Sequence, residues 1–187
     1  MAKLLKFEYF ETWKSMLDLD IQKEFSIIKE MPLEPHTFTF YTSVSVMSSS
    51  KIEGEQMELD SFVKHKMLNV EYLPELTEKP NDLYNAYLFA NQNRLNLDNF
   101  LKVHKLIAAH LLPKNQQGVI RKTEMLVMEH KTGRIQFEAA SMAIVNEVHK
   151  KLWIEIEELL SKKLTIEETF YFASFIHLAF VNIHPFG

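Results

Sequence analysis

Residues 165–187 read TIEETFYFASFIHLAFVNIHPFG, and this stretch contains both the beginning and the end of a helix. Thr165, followed three residues later by Glu168, has the capping-box pattern, in which both side chains satisfy backbone N–H groups at a helix start. The apolar run from residue 169 to residue 183, about fifteen residues long, is too short to span a bilayer. It therefore predicts a buried core helix that ends at His184, where the following proline forces the chain out.

Apolar residues recur at helical spacing in most of the remaining chain. Pro74 and Pro80 are interpreted as helix breakers, so that Asn81 or Asp82 would cap the helix that follows them. The predicted helices run approximately over residues 11–30, 60–69, 82–91, 97–111 and 139–160.

Residues 37–48, TFTFYTSVSVMS, fit two different structures. Their alternation and β-branched content favour a strand, whereas Phe40, Val44 and Met47 also fall on one face of a helix. From the residues alone the strand is slightly favoured.

A β-hairpin is predicted after Gly118. Residues 119–127 are rich in β-forming side chains, Lys131-Thr-Gly133 has turn composition, and residues 134–137 form a plausible return strand. Because glycine is scarce, with only 4 in the chain, glycine-rich phosphate loops are excluded. The predicted fold class is therefore mainly α, one domain with one small β-hairpin.

Composition restricts the class of protein. Of the 187 residues, 47% are apolar and 25% are charged, as in ordinary globular domains. The net charge of -4 and the scattered basic residues argue against nucleic-acid binding. Cysteine is absent, which excludes disulfides and thiolate zinc sites and suits a cytoplasmic location. The first residues lack a signal peptide, and no segment predicts membrane insertion.

His184 is the histidine with a distinctive setting, at the end of an apolar helix and directly before a proline. Two interpretations stay open from the residues alone: a histidine that interacts with the helix dipole, or a functional imidazole at a sharp turn. For the other histidines structural roles are predicted. His36, His65 and His149 are expected to be solvated, and His104 and His177 are expected in the core.

Three segments, in the same order along the chain, resemble the Fic family of protein adenylyltransferases. His184-Pro185-Phe186 resembles the start of the Fic catalytic motif, and residues 173–184 resemble the helix that carries its histidine. Gly118-Val-Ile-Arg121-Lys-Thr123-Glu-Met-Leu-Val127 is similar to the segment that opens the family's flap hairpin. Ser49-Ser-Lys-Ile-Glu53-Gly54 is similar to the family's inhibitory motif.

The resemblance implies an enzyme that transfers AMP from ATP to a Ser, Thr or Tyr hydroxyl of a target protein. His184 would be the general base that takes the hydroxyl proton, a role that suits a side chain whose pKa lies near neutrality. The flap would hold the target protein as an added β-strand. The residues that would line the nucleotide site from the flap are Val127, Met128, Glu129 and His130, although the interpretation as plain hairpin residues stays open for these positions.

The resemblance also implies an inhibitory role for Glu53. In the family this glutamate follows an N-terminal inhibitory helix and pairs with an arginine of the catalytic motif, in the space that the γ-phosphate of ATP needs. Ser49 and Gly54 would complete the motif and support the helix end. The resemblance therefore favours helix over strand for residues 37–50. In some relatives this glutamate instead helps to remove AMP, so the direction of the reaction stays open.

The resemblance sets the expected domain bounds. Residues 1–36 would form an N-terminal helical extension and residues 37–187 the Fic-type domain, with the inhibitory helix at about 37–55 and the flap at about 118–138. The ligand of Mg²⁺, the anion nest and the arginines of the motif would follow Gly187, so the chain is expected to be truncated within the motif. Alternatives are a non-catalytic helical protein-binding module and a Fic enzyme with another donor. A homodimer is left open.

Overall fold

The computed structural model describes residues 3–29, 35–52, 54–129 and 132–187, without the side chains of Lys29, Pro35, His36 and Val127. Within these residues the chain is mainly α-helical with a small antiparallel hairpin, which confirms the predicted fold class. The helices are α1 (Phe10–Ser15), α2 (Ile21–Lys29), α3 (Pro35–Ile52), α4 (Leu59–Leu68), α5 (Pro74–Gln92), α6 (Leu97–Ile107), α7 (Val145–Leu160) and α8 (Ile166–Ile183). The strands are β1 (Leu126–Met128) and β2 (Ile135–Glu138).

None of the helices in the described ranges combines the length and the apolar character that crossing a membrane requires. The chain divides into two compact units. Unit 1 consists of Met1–Met31 and Ile120–Gly187, and unit 2 consists of Pro32–Val119. The N-terminal segment therefore belongs to the same unit as the C-terminal helices.

Unit 1 is built around α8, which contacts α1, α2 and α7. Aromatic rings from α1, α8 and the segment before α1 pack together, with Tyr171 in edge-on contact with both Phe10 and Trp13. The carboxylate of Glu155, on α7, accepts hydrogen bonds from the backbone N–H groups of Leu4 and Leu5. These contacts explain why the N-terminal segment packs with helices that lie far away in the sequence.

Unit 2 packs α3 against α4 and α5, and α5 against α6. Its core is formed by apolar side chains from α3, α4, α5 and the turn that follows α3. The buried members are Val46, Met47, Met57, Phe62 and Tyr84.

Residues 37–50 are helical, as the resemblance predicts and the alternation pattern does not. The buried residues of α3 recur at spacings of three and four, at Thr42, Ser43, Val46, Met47 and Ser50. Only a helix places these residues on one face. The strand interpretation was wrong because alternation of small polar and β-branched residues is compatible with a helix whose interior face contains both.

The predicted single helix over residues 11–30 was wrong, because two helices occupy this region. The carboxylate of Asp20 accepts a hydrogen bond from the backbone N–H of Lys23 at 3.1 Å. This is the bond that an N-cap residue makes, and it begins a new helix at Ile21.

The interpretation of Pro74 and Pro80 as breakers was also wrong. Pro74 is the first residue of α5, where a proline loses no hydrogen bond, and Pro80 lies inside the helix. The ring of Pro80 is completely buried, so packing offsets the backbone bond that its missing N–H group cannot make. Consequently neither Asn81 nor Asp82 caps a helix.

The start of α7 at Val145 is later than the predicted start at Ala139. The backbone N–H groups of Ala139 and Ala140 instead donate to the carbonyls of Met125 and Asn182. Residues 139 and 140 therefore connect β2 with the residue that precedes β1 and with the end of α8.

Helix α8 begins as predicted, with both hydrogen bonds of the Thr165–Glu168 capping box present. The prediction that this helix is buried is only partly correct. Its sequence is apolar on all sides, but its contacts in unit 1 cover only one side. Tyr171, Phe172 and Ile183 are buried, whereas Phe170 and Leu178 are about half exposed, at 47% and 55%.

Candidate functional site

His184 terminates α8 in a backbone conformation that few residues adopt. It is the C-cap residue, with φ 46° and ψ 65°, in the left-handed region. Its backbone N–H donates to the carbonyl of Phe180 at 2.8 Å, and the residue is half-buried. For a residue with a Cβ this conformation costs roughly 1–2 kcal/mol, so the surrounding contacts must hold it in place.

The two residues after His184 anchor the turn in the interior. Pro185 is completely buried, and Phe186 is 9% exposed with its ring 6.0 Å from that of Phe180. The chain therefore leaves α8 at a fixed angle, and the imidazole lies where the helix ends.

Arg121 holds this turn from the other side. It is 5% exposed, and its backbone N–H donates to the carbonyl of Pro185 at 2.8 Å. Its Nε donates to the carbonyl of His184 at 2.6 Å. In total its guanidinium donates to the backbone carbonyls of Thr123, Ala140, Ile183 and His184. A buried charge is thus surrounded by oxygen acceptors, two of which belong to the end of α8.

A second contact closes the base of the hairpin. The carboxylate of Glu124 accepts hydrogen bonds from the hydroxyl of Ser141 at 3.1 Å and from the backbone N–H of Met142 at 2.9 Å. Together with Arg121, this contact joins the entry and the exit of the hairpin, so the base of the hairpin and the end of α8 form one connected structure.

The hairpin after Gly118 is confirmed, with strands shorter than predicted. Leu126 pairs with Glu138, Val127 with Phe137 and Met128 with Ile135, with an irregularity after Val127. Met128, one of the residues predicted to line the nucleotide site, is 59% exposed, so its side chain can contact a ligand.

Glu129 closes the turn of the hairpin. Its backbone N–H donates to the carbonyl of Arg134 at 2.9 Å, and its carboxylate accepts a hydrogen bond from the hydroxyl of Thr132. His130, which the sequence also assigned to the nucleotide site, lies outside the described residues.

The predicted inhibitory motif lies at the C-terminal end of α3, in unit 2. Ser49 is a half-buried residue of the last turns of α3. Gly54 follows with φ 87°, and its N–H donates to the carbonyl of Lys51 at 3.1 Å. Glu53 lies outside the described residues. The structure thus brings His184 together with the hairpin in unit 1, and Ser49 together with Gly54 in unit 2.

The other histidines depart from two predictions. His149 is buried at 2% exposure and accepts a hydrogen bond from the indole N–H of Trp153, so the prediction of a solvated side chain was wrong. Burial lowers the pKa of His149 below its ordinary value. His177, predicted in the core, is exposed on α8. His104 is half-buried and accepts the N–H of Gly118.

A cavity of about 700 Å³ lies in unit 1 between the N-terminal segment and helices α7 and α8. Leu5, Phe7 and Phe172 form its apolar wall, and Lys6 and Glu168 are among its charged residues. His184 is not among the lining residues, so this cavity and the turn at the end of α8 are separate features.

Residues 3–29, 35–52, 54–129 and 132–187 contain no group of three His, Cys, Asp or Glu side chains arranged to hold a metal ion. The resemblance implies a Mg²⁺ ligand outside these residues, and this stays a prediction.

No protein-family model matches this chain, and a comparison with curated proteins finds no match. The candidate site therefore rests on the geometry of the chain itself. Within it, sequence reasoning noticed Arg121 only as part of a motif and gave it no role. The sequence carried little signal for it, because Arg121 follows the apolar pair Val119-Ile120 but is itself followed by Lys122, Thr123 and Glu124, and only its burial in the fold sets it apart.

Proposed function

We propose that the intact protein is an autoinhibited AMP transferase of the Fic type, with His184 as general base. The observation that carries this proposal is the turn at the end of α8, where a half-buried histidine in the left-handed conformation is fixed beside the base of a β-hairpin. Glycine would end the helix in this conformation at a lower energetic cost. The presence of a histidine instead favours a role for the imidazole.

The proposed reaction is transfer of AMP to a protein hydroxyl. The hydroxyl oxygen attacks the α-phosphorus of ATP while the imidazole of His184 takes the hydroxyl proton. The bond from the α-phosphorus to the oxygen shared with the β-phosphate breaks, and pyrophosphate leaves with that electron pair. A histidine is suited to this step because its neutral form is available near pH 7.

The hairpin is proposed to hold the target protein. Leu126, Met128 and Ile135 are each about half exposed or more, at 47%, 59% and 61%. Exposed apolar side chains on a short hairpin with unpaired edges suit an extended peptide that adds as a further strand. Backbone hydrogen bonds would then bring the target hydroxyl toward the end of α8.

The proposed reaction also requires groups that bind the triphosphate and Mg²⁺. Backbone N–H groups of an anion nest, arginines and an acidic metal ligand are the chemistry that this step requires.

Glu53 is proposed as the inhibitory residue, with Ser49 and Gly54 supporting the end of α3. A carboxylate that occupies the γ-phosphate position would repel the triphosphate and pair with the arginine that should bind it. Removal of this carboxylate should raise the rate of transfer.

The test is incubation of the intact protein with ATP labelled on the α-phosphate and with cell lysate. We expect labelling to rise roughly tenfold or more in Glu53→Gly, which corresponds to about 1.4 kcal/mol. In His184→Ala the rate should fall by roughly 100- to 10,000-fold, the usual contribution of a general base.

Glu71→Gly is the matched control, because it removes the same side chain from an exposed position in the loop between α4 and α5. It should label as the wild type does. Equal labelling of wild type and Glu53→Gly would reject the inhibitory role, and undiminished labelling of His184→Ala would reject the mechanism. Label from γ-labelled ATP or from UTP would instead indicate another donor, and loss of label from a modified target would indicate AMP removal.

A non-catalytic protein-binding module is the second candidate, and the exposed apolar side chains of the hairpin favour it. In that case the intact protein would retain a partner through Met128 and Ile135 but would transfer no label. Met128→Lys would then abolish partner binding, whereas His184→Ala would leave it unchanged.

A further inference from the structure

We infer that Arg121 is a positioning residue that fixes the backbone of His184 for catalysis, an inference that rests on the proposed function. No part of the sequence resemblance assigned a role to this side chain. The inference follows from the hydrogen bonds that connect Arg121 with the end of α8 across an interval of 63 residues.

Arg121 binds the turn at three successive residues. Its Nη2 donates to the carbonyl of Ile183 at 3.2 Å, its Nε donates to that of His184 at 2.6 Å, and its backbone N–H donates to that of Pro185 at 2.8 Å. The last carbonyls of a helix have no partner within the helix, and a positive charge at this end is favoured by the helix dipole. One side chain therefore satisfies the helix end and defines the left-handed conformation of the histidine.

The same guanidinium also binds the hairpin arms. Nη1 donates to the carbonyl of Thr123 at 2.6 Å, before β1, and Nη2 donates to that of Ala140, after β2. Arg121 thus fixes the imidazole-bearing turn relative to the hairpin on which the target is proposed to bind. Base and nucleophile would each be placed by the same planar group.

Lysine cannot reproduce this arrangement. The guanidinium offers five N–H donors in one plane, so that separate nitrogens reach separate carbonyls at the same time. An ammonium group keeps the charge, but its three donors radiate from a single atom and cannot span acceptors on three segments. Arg121→Lys therefore tests the geometry while it preserves the charge.

The expected kinetic result in the intact protein is a loss of turnover without a loss of nucleotide binding. A displacement of about 1 Å in a reacting group lowers a rate by roughly 100-fold. We expect kcat for AMP transfer to fall by about that factor in Arg121→Lys, with KM for ATP unchanged within about twofold. Arg121→Gln, which keeps an amide donor, should behave in the same way, and Arg94→Lys should match the wild type because Arg94 is exposed just after the end of α5.

Combining the substitution with His184→Ala separates positioning from a general structural effect. If Arg121 acts through the imidazole, Arg121→Lys should cause no further loss in the His184→Ala background. A structural role alone would reduce the residual rate of the double variant by the same factor as in the wild type.

Hydrogen exchange of the intact protein, read by mass spectrometry, provides a result that does not depend on activity. Peptides covering residues 118–123 and 180–187 should exchange faster in Arg121→Lys, because the Arg121 and His184 N–H groups belong to the affected turn. Peptides from α7, which lies in the same unit as Arg121, should exchange as in the wild type, which shows that this unit of the variant is folded.

The outcomes separate the positioning role of Arg121 from the proposed AMP transfer on which it rests. Unchanged exchange at residues 180–187, or wild-type turnover in Arg121→Lys while His184→Ala is inactive, overturns the positioning role and leaves the proposed function intact. Absence of AMP transfer in the wild type and in Glu53→Gly overturns both.

Discussion

The turns that follow α8 and α3 differ in the charged contacts that hold them, although each was assigned a functional residue. The turn after α8 is held from the interior, by the buried guanidinium of Arg121 and the buried ring of Pro185. The turn after α3 also sends one side chain, Met57, into the core, but its charged side chains form ion pairs, an exposed one between Lys51 and Glu58 and a less exposed one between Lys79 and Glu55.

This difference suits the proposed roles. A general base must be fixed within a fraction of an ångström, which requires buried contacts with several partners. A regulatory segment must change its interactions at small energetic cost, and exposed ion pairs contribute little to stability. Substitutions at the end of α8 should therefore affect both stability and activity, and substitutions at the end of α3 chiefly activity.

The largest effect is expected from a substitution that disrupts the turn after α8. Arg121→Met removes the donors of four hydrogen bonds made by a buried side chain and should lower the free energy of unfolding by about 3–5 kcal/mol. Trp13 and Trp153 both lie in unit 1, so urea unfolding followed by tryptophan fluorescence measures the change. Arg94→Met should stay within about 0.5 kcal/mol of the wild type. A similarly small change for Arg121→Met would show that these bonds do not stabilise unit 1.

A matched pair of glycines extends the comparison to unit 2. Gly118 has φ +71° and a Cβ there would lie 2.8 Å from the carbonyl oxygen of Leu101, whereas Gly54 has φ +87° and open space around it. Gly118→Ala should therefore cost about 2–4 kcal/mol, from strain and steric overlap together, and Gly54→Ala about 1 kcal/mol. Urea unfolding followed by circular dichroism provides the measurement, and equal costs would contradict the packing of Gly118 against α6.

A buried histidine and an exposed histidine should contribute to stability in different pH ranges. Burial lowers the pKa of His149 below 6.5, so its contribution to stability is complete above about pH 6.5 and is lost as the pH falls through the lowered value. The exposed His110 behaves oppositely, because its hydrogen bond with Asp82 raises its pKa above 6.5. That contribution is complete below about pH 6.5 and is lost as the pH rises through the raised value.

The test uses one variant of each histidine. His149→Gln should flatten the acid side of the curve of unfolding free energy against pH, and His110→Gln should flatten the neutral-to-alkaline side. If both variants kept the wild-type curve, neither interaction would be linked to folding as the structure suggests.

The smallest effect is expected from a substitution that removes an exposed ion pair at the turn after α3. Lys51→Ala removes an ion pair of 2.9 Å between side chains that are 49% and 72% exposed. The free energy of unfolding should change by about 0.2–1 kcal/mol and by less at high salt, where exposed charges are screened. A change of several kcal/mol would contradict the small contribution expected of an ion pair between exposed side chains.

Sequence by itself determined the elements whose bonds are local. The capping box of Thr165 and Glu168 depends only on two residues that are three positions apart, so the sequence alone predicts it. The hairpin was equally visible, because the turn containing Gly133 and the β-forming residues on either side of it lie within one short segment. The mainly helical class followed from the repeated apolar spacing, and the end of α8 at His184 followed from the proline.

Tertiary structure alone decided the features that depend on distant partners. The burial of Pro80 inside α5, the helical state of residues 37–50 and the half-exposed face of α8 are set by packing, which overrides local propensity. The burial of Arg121 has the same origin: in the sequence it stands beside Lys122, and nothing local shows that the arginine is buried and the lysine exposed. Only the folded chain identifies the acceptors as the carbonyls around His184, because a buried charge takes its partners from whatever backbone the fold brings near it.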